Sequence, residues 1–406
     1  MRLTLFAIRN LGRNKRRSAS MLAMIALATM ALVLAGGYAA ANFRGLRDQT
    51  IRNGVGHLQI GEPGFRDHED RPLSRGLEDV ESVRRIVSAD PRVRATAPRV
   101  EFTGLASTND RSVAVLGRAV LPSGEYRDAG FAPRMLHGRR VAEGAEHEAM
   151  AAAGLASTLN LRIGDRLTIL AATVDGAING LDTVIVGIYT TGVRELDARS
   201  MVVRVDTAHT LLNTTRVSKL VVVLGRTADT AAAQDALASA LRAAGRDVEI
   251  LTWSDLAPFY HQVRGLFSGI FGFLGIIITA LVVLSAANAM TMAVMERVRE
   301  IGTLMALGTS RARVMGMFVA EGLTLGVLGG TTGLVLGWAC AVGLSRAGII
   351  MPPPPTFTTG FPLEIDVVAP LYLLVLLLMV ATLGIAAVLP AARAARLRIT
   401  DALGHV

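Results

Sequence analysis

Four stretches of the sequence carry no charged side chain: residues 18–43 (26 residues), 265–295 (31), 322–345 (24) and 367–392 (26). A helix crosses the hydrocarbon core of a bilayer with about 20 apolar residues, so each stretch is long enough to span. One ordinary soluble domain has no interior for four such helices. With 51% hydrophobic and 18% charged residues in a chain of 406, the sequence reads as a membrane protein. The second stretch exceeds what a bilayer needs. At 1.5 Å per residue it would extend roughly 46 Å as a helix, which predicts a stalk beyond the membrane.

The first stretch follows six basic residues (Arg2, Arg9, Arg13, Lys15, Arg16, Arg17) and ends in small ones, so a cleaved secretory signal is the competing reading. Signal cores run to about 7–15 apolar residues, and this one is longer, which favours an anchor. Orientation follows from the charge of the short loops. Six basic and no acidic residues precede residue 18; residues 296–313 carry four basic and two acidic; residues 393–406 carry three basic and one acidic. These three segments are expected in the cytoplasm. Residues 44–264 and 346–366 are then expected outside, with spans at 18–43, 265–295, 314–345 and 367–392 and both chain ends inside.

The net charge of +9 would suggest a nucleic-acid surface in a soluble protein. Mapped onto this topology, the cytoplasmic segments hold +10, the large external segment +1, and the short external loop and Glu321 −1 each. The excess is the positive-inside signature, and no nucleic-acid partner is expected. The single cysteine, Cys340, permits no intrachain disulfide. Neither Lys15 nor Lys219 follows a glycine, so the chain has no phosphate loop, and it has no GxSxG, HExxH or CxxC pattern. No catalytic, metal-binding or cofactor-binding residue is expected.

Residues 44–264 alternate polar and apolar positions as a folded domain does. Strands are expected at 57–60, 93–105, 112–116, 165–170, 183–188, 200–205, 219–224 and 248–252, and helices at 77–88 and 230–244. The two flanks read as an α+β subdomain with a β-rich subdomain inserted between them. In the short external loop, residues 352–355 are four prolines, a stiff polyproline II connector.

The most specific stretch is NAMTMAVMERVREIGTLMALG, residues 288–308. Through Asn288, Met290, Val294, Glu296, Arg297, Glu300, Ile301, Gly302, Ala306, Leu307 and Gly308 it resembles the FtsX-like, or MacB-type, family of ABC transporter permeases. FVAEG at 318–322, PAARAARLRITDAL at 390–403 and AIRNLGRNKRRS at 7–18 fit as well, as does the order of one span, a large domain and three spans. LRIGDRLTIL at 161–170 and residues 184–212 loosely resemble that family's periplasmic core.

The resemblance implies a membrane α-helical fold with a large α+β extracytoplasmic domain, in a bacterial inner membrane. It also implies a separate cytoplasmic ABC ATPase dimer that holds ATP and Mg, while this chain binds no cofactor. A second permease copy or a paralogue, membrane lipid, and a periplasmic adaptor or lipoprotein carrier are the further implied partners. The implied activity is mechanotransmission, ATP hydrolysis by the partner moving the external domain, as in the lipoprotein-releasing LolC/LolE branch or a stand-alone MacB-like permease. The alternative is an FtsX-like regulator of a cell-wall hydrolase with no transported substrate, disfavoured by the size of the external domain. A membrane-anchored enzyme is a third reading, for which no catalytic constellation exists.

Residues 296–307 are expected to form a coupling helix. Glu296, Arg297 and Glu300 would offer charge to the ATPase, Ile301, Leu304 and Leu307 would pack against it, Gly302 would permit close approach, and Gly308 would end the helix. The bland alternative is an amphipathic loop at the membrane surface. Glu321, at the mouth of the third span, is expected to pair with Arg313 or with the coupling helix, the sharper alternative being a proton relay. Asn288 is expected to hydrogen-bond between helices. Gly322, Gly326, Gly329, Gly330, Gly333 and Gly337 predict close helix packing, within one subunit or at a dimer seam.

Overall fold

Four helices are long and apolar enough to cross a membrane: Lys15–Thr50, Pro258–Glu296, Arg311–Arg346 and Ala369–Ala395. The computed structural model describes residues 15–64, 73, 76–108, 110–122, 133–144, 147–352 and 360–396. The chain start before residue 15, Pro353, Pro354 and Pro355 of the proline run, and the tail from 397, with the end of its motif, lie outside the described residues. The described residues form two compact units, one of spanning helices, the other chiefly Gly45–His261.

Glycines set the packing of the spanning helices. On the third helix, Gly322, Gly326 and Gly330 form one stripe at four-residue spacing, and Gly329, Gly333 and Gly337 form another. The first stripe lies against the fourth helix: added Cβ atoms would stand 2.9 Å from Ala387 Cβ, 2.9 Å from Val380 Cα and 2.8 Å from Leu376 Cδ1. The second lies against the first helix, at Ile25, at Ala26 and Thr29, and at Val33. Both stripes therefore serve packing within the subunit, where small residues let backbones approach closely. At one end of this bundle Arg44 pairs with Asp366 at 2.5 Å, and the Asp366 amide donates to the Gly37 carbonyl at 3.1 Å. The second helix is different. Only 11% of its most apolar window is buried, against 28–39% for the others.

The other unit is built on ten strands: β1 (Leu58–Gly61), β2 (Val93–Ser107), β3 (Ser112–Val120), β4 (Arg134–Gly138), β5 (Glu148–Ala152), β6 (Arg166–Ala172), β7 (Ile178–Thr190), β8 (Ser200–Arg204), β9 (Lys219–Leu224) and β10 (Glu249–Thr252). The order is β10-β1-β9-β2-β3-β8-β5-β7-β4, with β6 joining β2 to β7. β10-β1-β9 and the first half of β2 form an antiparallel flank sheet. Val83 and Val87 of helix Val80–Ser88 and Ala233, Leu237 and Leu241 of helix Thr230–Ala243 cover it. The second half of β2 belongs to a closed ring, β2-β3-β8-β5-β7-β6 and back to β2. The flank is thus a sheet covered by two helices, and the segment between its two halves is a small barrel.

Two strands escape the sequence pattern. β5 reads EAMAA, with no β-branched or aromatic residue to mark it, yet all five positions are buried because both faces are covered, Ala149 and Ala151 in the main core and Met150 and Ala152 in a second cluster with Val186, Tyr189 and Val202. β4 is an edge strand, mostly exposed, and offers no alternation. The helices Ala153–Leu159 and Val205–Leu212 also lie outside the sequence pattern; each ends on an asparagine in the left-handed region, Asn160 (φ 55°) and Asn213 (φ 52°).

Candidate coupling surface

The second spanning helix stops at Glu296, and a separate helix, Val298–Ala306, starts one residue later. Arg297 makes the break, with φ −115° and ψ 16°. At the far end Gly308 has φ +91°, a conformation that strains any residue with a side chain. Its amide donates to the Met305 carbonyl and that of Thr309 to the Leu304 carbonyl, both at 3.0 Å, which closes the last turn.

The short helix has two distinct faces. Glu296, Glu300, Leu307 and Gly308 are exposed, Leu307 to 79%, and Leu304 is half-buried. Arg299 and Thr303, which the motif does not single out, complete this outward face. The three- and four-residue steps from Glu296 to Arg299, Glu300, Thr303 and Leu307 are the signal that identifies them. Arg297, Ile301 and Gly302 point the other way, which corrects their expected place at a partner surface. Ile301 is 4% exposed, packed in a cluster with Val294, Met305, Val314, Phe318, Ala391 and Ala394. The physical reason is that helical period: 298, 301, 302 and 305 form the apolar stripe the helix must bury against its own subunit.

Glu321 is paired as expected, and its partner is Arg297 of the short-helix segment, at 3.8 Å, with 7% of the Arg297 side chain and 11% of that of Glu321 exposed. Asn288 corrects another expectation. It is exposed and makes no hydrogen bond to a neighbouring helix among the described residues, because it lies on the second helix, the least buried of the four.

In the stranded unit, burial by itself would raise the Glu101 carboxyl, but the Lys219 ammonium 2.7 Å away and the Arg118 and Arg99 guanidiniums outweigh it and hold the group down to about 2. Lys219 is lowered by burial, against the pull of Glu101. His57 is lowered by burial and by Arg47; its Nδ1 accepts from the Leu224 amide at 3.1 Å. Arg99, fully buried, donates to the carbonyl of Gly54, where the first helix ends in a π turn, Ile51–Val55. These contacts hold the domain together and compose no catalytic arrangement. A polar cleft of about 490 Å³ is bordered by the ion pairs Arg216–Glu78 and Arg246–Asp79, the latter at 2.5 Å.

Residues 18–240, more than half of the chain, match the family described as MacB-like periplasmic core domain, and residues 272–399 match FtsX-like permease C-terminal. The lipoprotein-releasing system transmembrane protein LolC of Neisseria meningitidis serogroup B is 26% identical over 332 residues, covering 78% of this chain and 76% of that one. LolC of Xylella fastidiosa is 23% identical, covering 79% and 80%. The macrolide export ATP-binding/permease protein MacB of Hyphomonas neptunium is 28% identical over 25% of this chain and 16% of its own. Among solved structures, the periplasmic region of MacB from Actinobacillus actinomycetemcomitans is similar at a TM-score of 0.39 and 14% identity, over 52% of this chain and 94% of that one.

Proposed function

This chain belongs to the family of ABC transporter permeases that join a MacB-like periplasmic core domain to an FtsX-like C-terminal region, and on that footing we propose that it works by mechanotransmission. A separate cytoplasmic ABC ATPase, holding ATP and Mg, engages the outward face of Val298–Ala306 through Glu296, Glu300, Leu304 and Leu307. Movement of that helix passes along the spanning helices to the external domain. Both chain ends lie in the cytoplasm, and two permease copies, or this chain and a paralogue, surround a two-subunit ATPase.

The observation that carries this reading is the helix Pro258–Glu296. Its 39 residues reach about 58 Å, nearly twice the hydrocarbon thickness. Its cytoplasmic end lies one residue from the short helix, which places the contact surface at the foot of a continuous rod. The glycine seams support the same view. Spans packed to backbone contact leave little room for a solute path, and suit transmission of movement.

The work done outside is extraction of a lipid-modified protein from the membrane, or expulsion of a hydrophobic or peptide substrate, with an adaptor or carrier as the receiving partner. The LolC relatives, named for lipoprotein release and aligned over most of both chains, favour the first. Purification from native membranes in mild detergent is expected to bring down an ATPase bearing a phosphate loop. Proteoliposomes holding that complex and a lipid-modified protein are expected to release the protein only with ATP. Recovery of a cell-wall hydrolase instead, with no ATP-dependent release, would overturn transport in favour of the FtsX-like regulatory role.

A further inference from the structure

Arg297 occupies the one-residue break between the second spanning helix and the short helix. A single residue outside helical geometry is a pivot, and a pivot would let the short helix swing without moving the helix behind it. Its side chain, 6% exposed as a residue, turns inward to Glu321, 8% exposed. One of its terminal nitrogens, Nη2, is buried without a hydrogen bond. Glu321 also borders a cavity of about 10 Å³ lined by Ser18 and Met21 of the first helix, Ala289, Met290 and Ala293 of the second, and Phe318 and Leu325 of the third. The carboxylate thus stands where three spanning helices meet.

An ion pair in such a place is a poor source of stability, because losing water costs the two charges about what their attraction returns. An apolar pair of the same volume would hold the helices at least as well. What charge adds is register. The apolar contacts of Ile301 and Met305 with Val314 and Phe318 tolerate a slide along the interface, whereas a buried guanidinium is compensated only where the carboxylate is.

We infer that Arg297 and Glu321 are a positioning pair that closes the pivot, fixing the short helix to the junction of the first three spans so that its displacement reaches the third span. The value of this lock rests on the coupling role proposed above, but the lock is measurable without a partner.

The test uses the full chain with Cys340→Ser in lipid nanodiscs, spin-labelled through Thr303→Cys and Gly343→Cys. Thr303 is exposed, and nothing lies within 4 Å of a Cβ at Gly343. With the doubly labelled chain diluted into an excess of unlabelled chain, so that the intrasubunit distance alone is read, double electron–electron resonance is expected to give one narrow distance distribution. Arg297→Met and Glu321→Gln are each expected to broaden or split it, and the exchanged pair, Arg297→Glu with Glu321→Arg, to bring back a single narrow peak. Single variants as narrow as the parent overturn the lock. So do broadened singles that the exchange fails to rescue, since shape rather than charge would then be responsible. Should Arg297→Met fail to fold, Glu321→Gln keeps the shape and removes only the charge, and decides the matter. Stimulation of the co-purified ATPase, read on the same variants, separates the two ideas: altered distances with unchanged stimulation leave the lock standing and remove the coupling role.

Discussion

Alanine substitution at two glycines of one helix should have opposite effects. Gly333 and Gly316 both lie in the third spanning helix, Arg311–Arg346. At Gly316 an added Cβ has nothing within 4 Å, so alanine gains helix propensity, up to about 1 kcal/mol. At Gly333 the same methyl would stand 2.5 Å from the Ala26 carbonyl oxygen and 3.0 Å from Ala26 Cα. The obstacle is backbone and has no rotamer to change. Relief requires the first and third helices to part by roughly 0.5–1 Å, a gap that forfeits a quarter to a half of each contact's dispersion energy along the seam. The contacts at Ile25, Thr29 and Val33 loosen with it, and overpacking of this kind costs about 1–3 kcal/mol. At about 2–4 °C per kcal/mol for a unit of this size, Gly333→Ala should lower the midpoint of thermal aggregation in detergent by about 2–12 °C, and Gly316→Ala should leave or raise it. Fluorescence-detected size exclusion after a heat series measures both. Equal behaviour of the two variants, in either direction, would refute the assignment of the stripe to intrasubunit packing.

Other predictions concern charge. Glu300→Arg should abolish recruitment and stimulation of the partner ATPase with membrane insertion intact, since reversing an exposed charge harms docking more than folding; co-purification and ATPase assays check it, and normal recruitment would remove Glu300 from the contact. Glu101 is held down to about 2 from an ordinary 4.5, so its contribution is complete above 4.5 and is lost as pH falls toward 2. With 36% of that side chain open to solvent, the amount at stake is on the order of 1–2 kcal/mol. Denaturant titrations across that range should show the loss, and Glu101→Gln should flatten it. His57, lowered by burial, adds an earlier step: folded stability should begin to fall as pH drops below 6.5, because the unfolded chain takes up the proton first. Replacing His57 with Gln should remove that step alone.

The spans were legible because an uncharged run of 24 or more residues has few soluble interpretations. Apolar runs rich in β-branched residues, such as KLVVVL of β9, were equally plain. β5 was not, since alanines mark a strand only once the ring that buries them exists. Closure of the ring itself depends on β6 meeting β2, Leu105 opposite Leu170, a pairing between residues 65 apart that no local pattern announces. At the candidate site the motif located the short helix but mixed its two faces. A motif gathers residues by identity, and burial sorts them by angle around the axis: Arg297 and Ile301 matter to the subunit's own packing, Glu296 and Glu300 to its surface. For Glu321 the sequence narrowed the partner to Arg313 or the coupling segment, and only the fold of the segment chose Arg297.

The flank sheet also bears on how a pull on the spanning helices would enter the stranded unit. β1 follows the first spanning helix and β10 precedes the second, and the two strands are antiparallel neighbours with Leu58 opposite Thr252. The chain thus arrives and departs at the same end of one ladder, and the bond from the Trp253 amide to the His57 carbonyl, 2.9 Å, sits at its mouth. If both helices are drawn the same way, every rung between β1 and β10 keeps its length, and the tension spreads into β9 and β2. If one helix is drawn and the other held, the rungs are taken one at a time from Leu58–Thr252 inward, as a zip opens. The ladder is stiff to common motion and soft to differential motion, so its first rung is where an unequal stroke of the two helices would be felt.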